Sequence, residues 1–408
     1  MLSSRFVLPA LVLAACGGGV TIFDPPPPPS NDFVLTFQPD AEDQASAQAL
    51  GWGTAVPDAD VTLTPKDGLL GGPRTYRTSA TGTVTVAALA AGDYVVDIKR
   101  WLNDTERGRL TGGDNAIGFV TKAVVRATSG VGQASVTVPA SRRRSLVISE
   151  FANNVLNLIP DAYTFNAFVE LHNNSDTTIY VDGMILARAL SPAADHSTFP
   201  CSLYAPYTGD PGGLWARFMV KFPGTGREYP VQPNETIVVA TDAIDHSAIV
   251  SGGLDLRSAR FEMLGPSDVD NPAAANMIDI TEGGFTGSGH GLSWEERNAL
   301  VTALSRPVAT SGLPRAPPTI APFLRLPGEL ILDVFSLQGS YQGADPYCPR
   351  LVHPNFDRER ASSLFNSIDF TVSAQRKTVV IGSRKFVQNT RNSFADFVGA
   401  LRSPGVLP

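Results

Sequence analysis

The chain is poor in the residues from which catalytic and metal sites are most often built. Its 408 residues include only 3 cysteines and 5 histidines. The histidines stand at positions 172, 196, 246, 290 and 353, with no pair at i, i+2 or i, i+4, so the short ligand spacings of a zinc site are missing. No GxSxG, HExxH, CxxC or P-loop occurs, and the glycine cluster Gly287-Ser288-Gly289-His290-Gly291 lacks the spacing of a dinucleotide fingerprint. Basic charge is not in surplus either: 32 Lys and Arg against 39 Asp and Glu give a net charge of −7, which leaves a nucleic-acid partner without electrostatic support. Two acidic groupings, Asp242-Asp245-His246 and Asp268-Asp270-Asn271, are close in sequence. The second offers hard oxygens but not the residue order of a calcium loop. The residues therefore assign no catalytic group, no metal and no cofactor.

Glycine and proline are plentiful. The 37 Gly and 32 Pro interrupt helices and mark turns and long loops, so an all-helical chain is excluded. With 43% hydrophobic and 17% charged residues, the composition is globular and long enough for two or three packed domains. We expect a mainly β protein: two consecutive Ig-like or prealbumin-like β-sandwiches, the second with long loop insertions and one or two short helices.

The first 15 residues carry Arg5 and the apolar run Phe6 to Ala15. That run is the size of a signal-peptide core and too short to cross a bilayer of ~30 Å as a helix. Leu13-Ala14-Ala15-Cys16 matches the lipobox of bacterial lipoproteins, so Cys16 is the expected lipid-attachment residue and the new N-terminus. Multiple acyl chains on Cys16 would hold the protein on a membrane without a spanning helix. Gly17 after the Cys is compatible with onward transfer to the outer membrane. Residues 16–32 then form a stalk, in which Pro25 to Pro29 hold an extended polyproline II path of ~3.1 Å per residue.

From residue 33 to about 140 the sequence breaks into short alternating strands: Phe33–Phe37, Val61–Thr64, Thr83–Val86, Tyr94–Ile98 and Ala134–Val138. The passages VPDADVTLTPKDG and TSATGTVTVAALAAGDYVVDIKR resemble the carboxypeptidase regulatory-like (prealbumin-like) family. That resemblance makes Gly82 a turn into a strand, Leu89 a core plug, and Gly92-Asp93-Tyr94 a turn that packs its aromatic on the sandwich. The junction Ser141-Arg142-Arg143-Arg144-Ser145 reads as a solvated hinge rather than an anion site.

The second unit, 145–408, opens on LVISEF, FVELHNNSD and IYVDGMIL. In FVELH, Phe168, Glu170 and His172 fall on one face and Val169 and Leu171 on the other, as a sandwich strand requires. Asn173 to Asp176 read as the tight turn of a hairpin. This order resembles the lamin-tail type of sandwich. With FPGTGREYPVQPNETIVVATDAIDH, DVDNPAAANMIDI and RKFVQNTRNSFADF, it more closely resembles a bacterial lipoprotein family described as domain of unknown function 4876. One departure is Met184 after Gly183, where lamin-tail domains usually carry Trp. The long stretch from Leu190 to Pro233 carries Phe199, Tyr204, Tyr207, Trp215 and Phe218, which either form a binding surface or pack the loop onto the sheet. Helices are expected at Asp357 to Phe365 and at Asn392 to Leu401.

The family resemblance implies a non-enzymatic binding or accessory lipoprotein of the cell envelope, associated with TonB-dependent outer-membrane transport. Its partners would be the membrane, an outer-membrane receptor and an unknown ligand. Two alternatives differ in class. One is an accessory or divergent hydrolase, because lamin-tail-like domains occur attached to exported nucleases and phosphatases. The other is a structural surface or adhesion protein.

Once Cys16 is lipidated, an exported chain retains two thiols, Cys201 in FPCSLY and Cys348 in YCPRL, and one disulfide between them is the simplest outcome. It would close a loop of about 148 residues and raise the free energy of the unfolded chain by ~5 kcal/mol on the loop-closure view. Thiol titration of the denatured, unreduced protein is expected to find neither thiol free; two free thiols per chain would show that no bridge forms.

Overall fold

The structure is a computed structural model that describes residues 32–111, 114–128, 132–152, 166–189, 201–263, 265, 269–281, 299–303, 312–316, 323–338, 352–362 and 372–407. Cys16 and Cys348 lie outside these residues, as do Phe199, His196, His290 and Asp268, the signal peptide and most of the stalk.

Eight strands build the first sandwich: Phe33–Pro39 (β1), Asp60–Pro65 (β2), Arg74–Arg77 (β3), Thr83–Val86 (β4), Gly92–Trp101 (β5), Ala116–Ala127 (β6), Gln133–Val138 (β7) and Ala140–Arg142 (β8). One sheet runs β4-β1-β7 and the other β3-β2-β5-β6-β8. β1 shows why these segments are strands: Phe33, Leu35 and Phe37 are buried and alternate with more exposed polar and β-branched residues. They meet Val61, Leu63, Val96, Ile98 and Phe119 of the facing sheet.

The Gly82 turn, the Leu89 plug and the packing of Tyr94 are as expected, whereas Gly92-Asp93-Tyr94 form the start of β5 rather than a turn. Gly82 has φ +68°, and a Cβ there would stand 2.7 Å from the Phe37 carbonyl oxygen, so only glycine fits. Leu89 is buried, and the Tyr94 hydroxyl donates to the Ala90 carbonyl at 2.8 Å. The 12-residue strand β6 was not legible from alternation, because all six positions from Ala116 to Thr121 are buried. A strand covered on both faces loses its period of two.

The second sandwich begins with Leu146–Ala152 (β9), Phe168–Asn173 (β10), Ile179–Tyr180 (β11), Ile185–Ala189 (β12), Gly213–Lys221 (β13), Pro230–Val231 (β14), Thr236–Ala240 (β15), Phe261–Glu262 (β16), Ala275–Asn276 (β17) and Ile278–Asp279 (β18). It continues with Ala299–Ala303 (β19), Leu324–Pro327 (β20), Ile331–Gln338 (β21), Ala361–Ser362 (β22), Val372–Arg376 (β23), Thr378–Ile381 (β24), Arg384–Val387 (β25) and Phe397–Leu401 (β26). One 7-stranded sheet has the order β17-β16-β15-β10-β9-β23-β26; the facing sheet runs β18-β13-β12-β19-β21-β22, with β20 on β13. Between them Ile148, Val169 and Leu171 meet Leu186, Val220 and Phe335. Phe335 packs on Phe397 with ring centroids 4.3 Å apart. The fold class is thus the expected one, mainly β with sandwiched sheets.

Three local expectations need correction. Asn173 does start an Asx turn, accepting from Ser175 N at 3.0 Å, but no hairpin follows. β11 pairs with β14, while Asn174 bonds Val387 through both amide ends (3.3 and 3.2 Å), so the turn is bound to a distant strand. Residues 357–360 are not helical and lead into β22. Asn392 caps only the single turn Ser393–Asp396, after which the chain becomes β26. The only described helix of two turns in this half is Cys201–Thr208, which the sequence did not suggest because Pro206 lies inside it.

An ionic node organises this half. Arg376 is fully buried; its Nε donates to the Ile148 carbonyl (2.7 Å), one terminal nitrogen to Asp333 (2.5 Å), and the other to the Gln388 carbonyl (3.2 Å) and to Asp396 (3.3 Å). Its guanidinium also lies 4.4 Å from the Phe397 ring centroid. The carboxylates are satisfied in turn: Asp333 accepts from Ile148 N (2.9 Å) and Asn389 Nδ2 (2.9 Å), and Asp396 from Thr390 N (2.8 Å) and Gln388 Nε2 (3.0 Å). Replacing Arg376 by Met would strand two buried carboxylates. Arg376→Met is therefore expected to cost about 3–5 kcal/mol in urea unfolding, whereas a cost under ~1 kcal/mol would show that the node does not hold the strands.

Candidate functional site

The seam between the sandwiches is built from charged side chains. Asp40 and Glu42, just after β1, reach Arg358 and Arg391 of the second sandwich. Burial works against it, but the Arg358 hydrogen bond and charge hold the Asp40 carboxyl below its usual range. Asn389 ties in the backbone of β8: it donates to Ser141 Oγ at 3.1 Å and accepts from Arg142 N at 3.0 Å. Lys122 of β6 stands 4.4 Å from the Phe394 ring.

The three junction arginines are consequently not a free solvated hinge. Arg142 pairs with Asp43, which is buried and also accepts from Ala140 N at 2.7 Å. Arg143 pairs with Asp176, which Arg384 also grips. Arg142 thus fastens β8 within the first sandwich, and Arg143 joins that sandwich to the second. The Arg144 backbone N donates to the Arg142 carbonyl at 3.0 Å, but its side chain makes no hydrogen bond or ion pair among the described residues, and its Nε is buried without an acceptor.

Arg144 lines a cleft of about 420 Å³ at this seam. The first sandwich contributes Glu42. The second contributes Gly212, Gly328 and Glu329, the start of β21 from Ile331 to Val334, and Asn355, Phe356 and Arg391. The wall is tight where Gly328 N donates to the Gly212 carbonyl at 3.0 Å, because a Cβ on Gly328 would meet Phe356 at 2.9 Å. Arg391 holds a left-handed backbone (φ +55°), fixed by a bond from its own N to Asn389 Oδ1 at 3.2 Å. Such strain at a non-glycine residue persists only where the surroundings over-determine it.

Of the residues singled out in the sequence, only Arg144 of the arginine run lines this cleft. His172 sits at the Thr236 end of the β10–β15 pair, with Nδ1 3.0 Å from Thr236 Oγ1. Burial, with Arg384 and Lys385 nearby, pulls it down to about 4, so it is neutral at pH 7. His246 follows the other end of β15, its Nε2 2.9 Å from the Asp242 carbonyl. His353 accepts from Asn355 N at 3.1 Å. These three are held apart by separate local contacts, and no His, Cys, Asp and Glu grouping suited to a metal exists among the described residues. Asn271 spans a turn, donating to Glu262 and to the Ala243 carbonyl, and Asp270 accepts from Asn276. Tyr204 is buried, Tyr207 packs edge-on against Trp215 at 5.0 Å, and Trp215 donates to Asp210 at 3.0 Å. The described aromatics therefore pin their segment to the sheet. Cys201 is the first residue of its helix, and its partner Cys348 lies outside the described residues.

Among the described residues, burial raises four acids, Glu170, Glu262, Asp357 and Asp396, and all four are held by hydrogen bonds within the fold. Glu170 and Glu150 stand directly opposite each other on β10 and β9. Burial, reinforced by Glu150, pushes Glu170 up to about 7, against hydrogen bonds from Ser149 Oγ (2.8 Å) and Gly405 N (2.8 Å). Glu150 holds Ser373 and Ser403, so the pair fastens the C-terminal segment over the outer face of the sheet. Asp357 is likewise pushed up to about 7 by burial, with Ser393 N donating to it at 2.8 Å.

No family model matches this sequence, and no curated protein matches it. Among solved structures, the chain has the fold of a DUF4876 family protein from Bacteroides thetaiotaomicron: TM-score 0.52 and 18% identity, over 92% of this chain and 95% of that one. The class is thus a two-sandwich β protein with an ion-paired seam, and it shares its fold with that DUF4876 protein. Weaker likenesses are to a DUF3823 family protein from Parabacteroides merdae (TM-score 0.18, 10% identity, 47% of this chain and 90% of that one) and to a candidate cell adhesion protein from Bacteroides eggerthii (0.17, 13%, 67% and 73%). Scores that low define no common fold.

The Glu170 shift fixes a pH dependence. Its folded value, about 7, lies above the ordinary 4.5, so the folded state holds the proton more tightly than the unfolded chain. Stability from this site is fully retained below about 4.5 and falls as pH rises through about 7. Glu170→Gln cannot ionise and escapes that loss. Its stability relative to wild type is expected to be near zero at pH 4 and to reach about 3 kcal/mol in its favour at pH 8, read by urea unfolding across pH; a pH-independent difference would mean that Glu170 carries no such shift.

Proposed function

We propose that this chain is a lipid-anchored binding or accessory module of the cell envelope, a DUF4876-type lipoprotein attached through Cys16 to the outer membrane. It works alongside a TonB-dependent transport system and catalyses no reaction of its own. The observation that carries the binding reading is the cleft at the seam: Asp40, Glu42, Arg358 and Arg391 pair across the two sandwiches and hold a preformed concavity open between them. Cavities of ~300 to 1,000 Å³ at domain junctions are the usual form of small-ligand sites. In favour of a non-enzymatic role, the acids raised to about 7, Glu170 and Asp357, are engaged by Ser149, Gly405 and Ser393, which are structural partners.

Membrane fractionation of the wild type and of Cys16→Ser tests the anchor, and affinity purification from detergent-solubilised membranes tests the partner. The wild type is expected in the outer-membrane fraction with a TonB-dependent receptor, and Cys16→Ser in a soluble or unprocessed form. Unchanged membrane association of Cys16→Ser would overturn the anchor. Purification without any receptor would overturn the transport role, and robust hydrolysis of phosphodiesters, esters or glycosides lost on changing one His or Asp would overturn the non-enzymatic reading.

A further inference from the structure

The other guanidiniums around the seam have carboxylate partners. Arg142 has Asp43, Arg391 has Glu42, Arg358 has Asp40, and Arg376 has Asp333 and Asp396. Arg144 has none among the described residues, although its Nε is buried. Arg144 is half-buried, and withdrawing a charge from water without a partner is costly. Burial, followed by the repulsion of Arg391, pulls the Arg144 guanidinium down to about 10, a value that still leaves it charged at neutral pH.

The acids in the cleft lining do not supply the missing partner. Asp333 is the carboxylate whose charge helps Arg144, yet its two oxygens are taken by Arg376, Ile148 N and Asn389. Glu42 is held by Arg391 and Arg358, and Glu329 is exposed and forms no ion pair with Arg144. The guanidinium is a planar fork of donors suited to two parallel bonds with one oxyanion. Beside it, the same cleft offers apolar surface from Ile331, Leu332 and Phe356.

We propose that the cleft between the sandwiches binds a small organic acid, with its carboxylate on the Arg144 guanidinium and its apolar body against Ile331, Leu332 and Phe356. This deepens the binding reading and rests on it, but it depends on neither the anchor nor the transport partner. The acid supplies the charge that the fold leaves out, and its apolar part displaces water from the Phe356 wall.

Thermal unfolding of the purified full chain tests this, with benzoate, acetate and the neutral benzamide as probes at constant ionic strength. Wild type is expected to show a saturable rise in midpoint with benzoate up to about 10 mM, well above the ~1 mM affinity of a modest small ligand. Acetate should bind at least about tenfold more weakly, since it leaves the apolar wall uncovered, and benzamide should give no rise. Arg144→Met keeps the apolar stem of the side chain and removes its charged head. It is expected to fold with a midpoint in chloride equal to or above that of wild type, and to lose the benzoate response. A benzoate response that persists in Arg144→Met, an equal response to benzamide, or no response in the wild type would each overturn the proposal, whatever the membrane experiments find.

Discussion

The buried Arg376 guanidinium is the contact on which the second sandwich depends. A charge withdrawn from water is tolerated only where its hydrogen-bonding capacity is filled, and here two carboxylates and two backbone carbonyls fill it. Those partners come from β9, from β21 and from the turn after β25, so the node fixes three separate parts of the chain at once. The same turn carries Asn389, which reaches β8 of the first sandwich. The relative placement of the two sandwiches thus follows from a side chain in the middle of one of them.

The seam extends that logic outward. Individually, half-exposed ion pairs contribute little. Asp40 and Glu42 nevertheless act together on Arg358 and Arg391, and Asp40 also closes a turn on its own side by accepting from Glu42 N. The Asp40 carboxylate is positioned by its own sandwich before it meets Arg358 of the other. A cleft formed between two such surfaces is preformed, and preorganisation lowers the ordering cost of whatever binds.

The segments that carried the resemblance to a family are, in the structure, structural parts. Gly226, Glu228 and Tyr229 of FPGTGREYPVQPNETIVVATDAIDH turn their amides onto Asp182. Asn271 of DVDNPAAANMIDI ties a turn to Glu262, and RKFVQNTRNSFADF supplies Gln388, Thr390 and Asp396 to the ionic node. These residues hold turns and strands in place, which is why they pointed to architecture and offered no chemistry.

What the sequence determined by itself was whatever depends on neighbours a few residues away. The alternation of β1, the positive-φ turn at Gly82 and the Asx turn at Asn173 are local, as is the mainly β character. Strand β6 and the pairing of β11 were hidden, because burial on both faces and partners fifty residues distant leave no period to read. The arginine run at the junction was visible but misread. Three adjacent guanidiniums look alike in sequence, and only tertiary structure brings Asp43 to Arg142 and Asp176 to Arg143 while leaving Arg144 without a carboxylate. Charge compensation depends on distances set by the whole fold: Arg142 finds its carboxylate within the first sandwich and Arg143 across the seam.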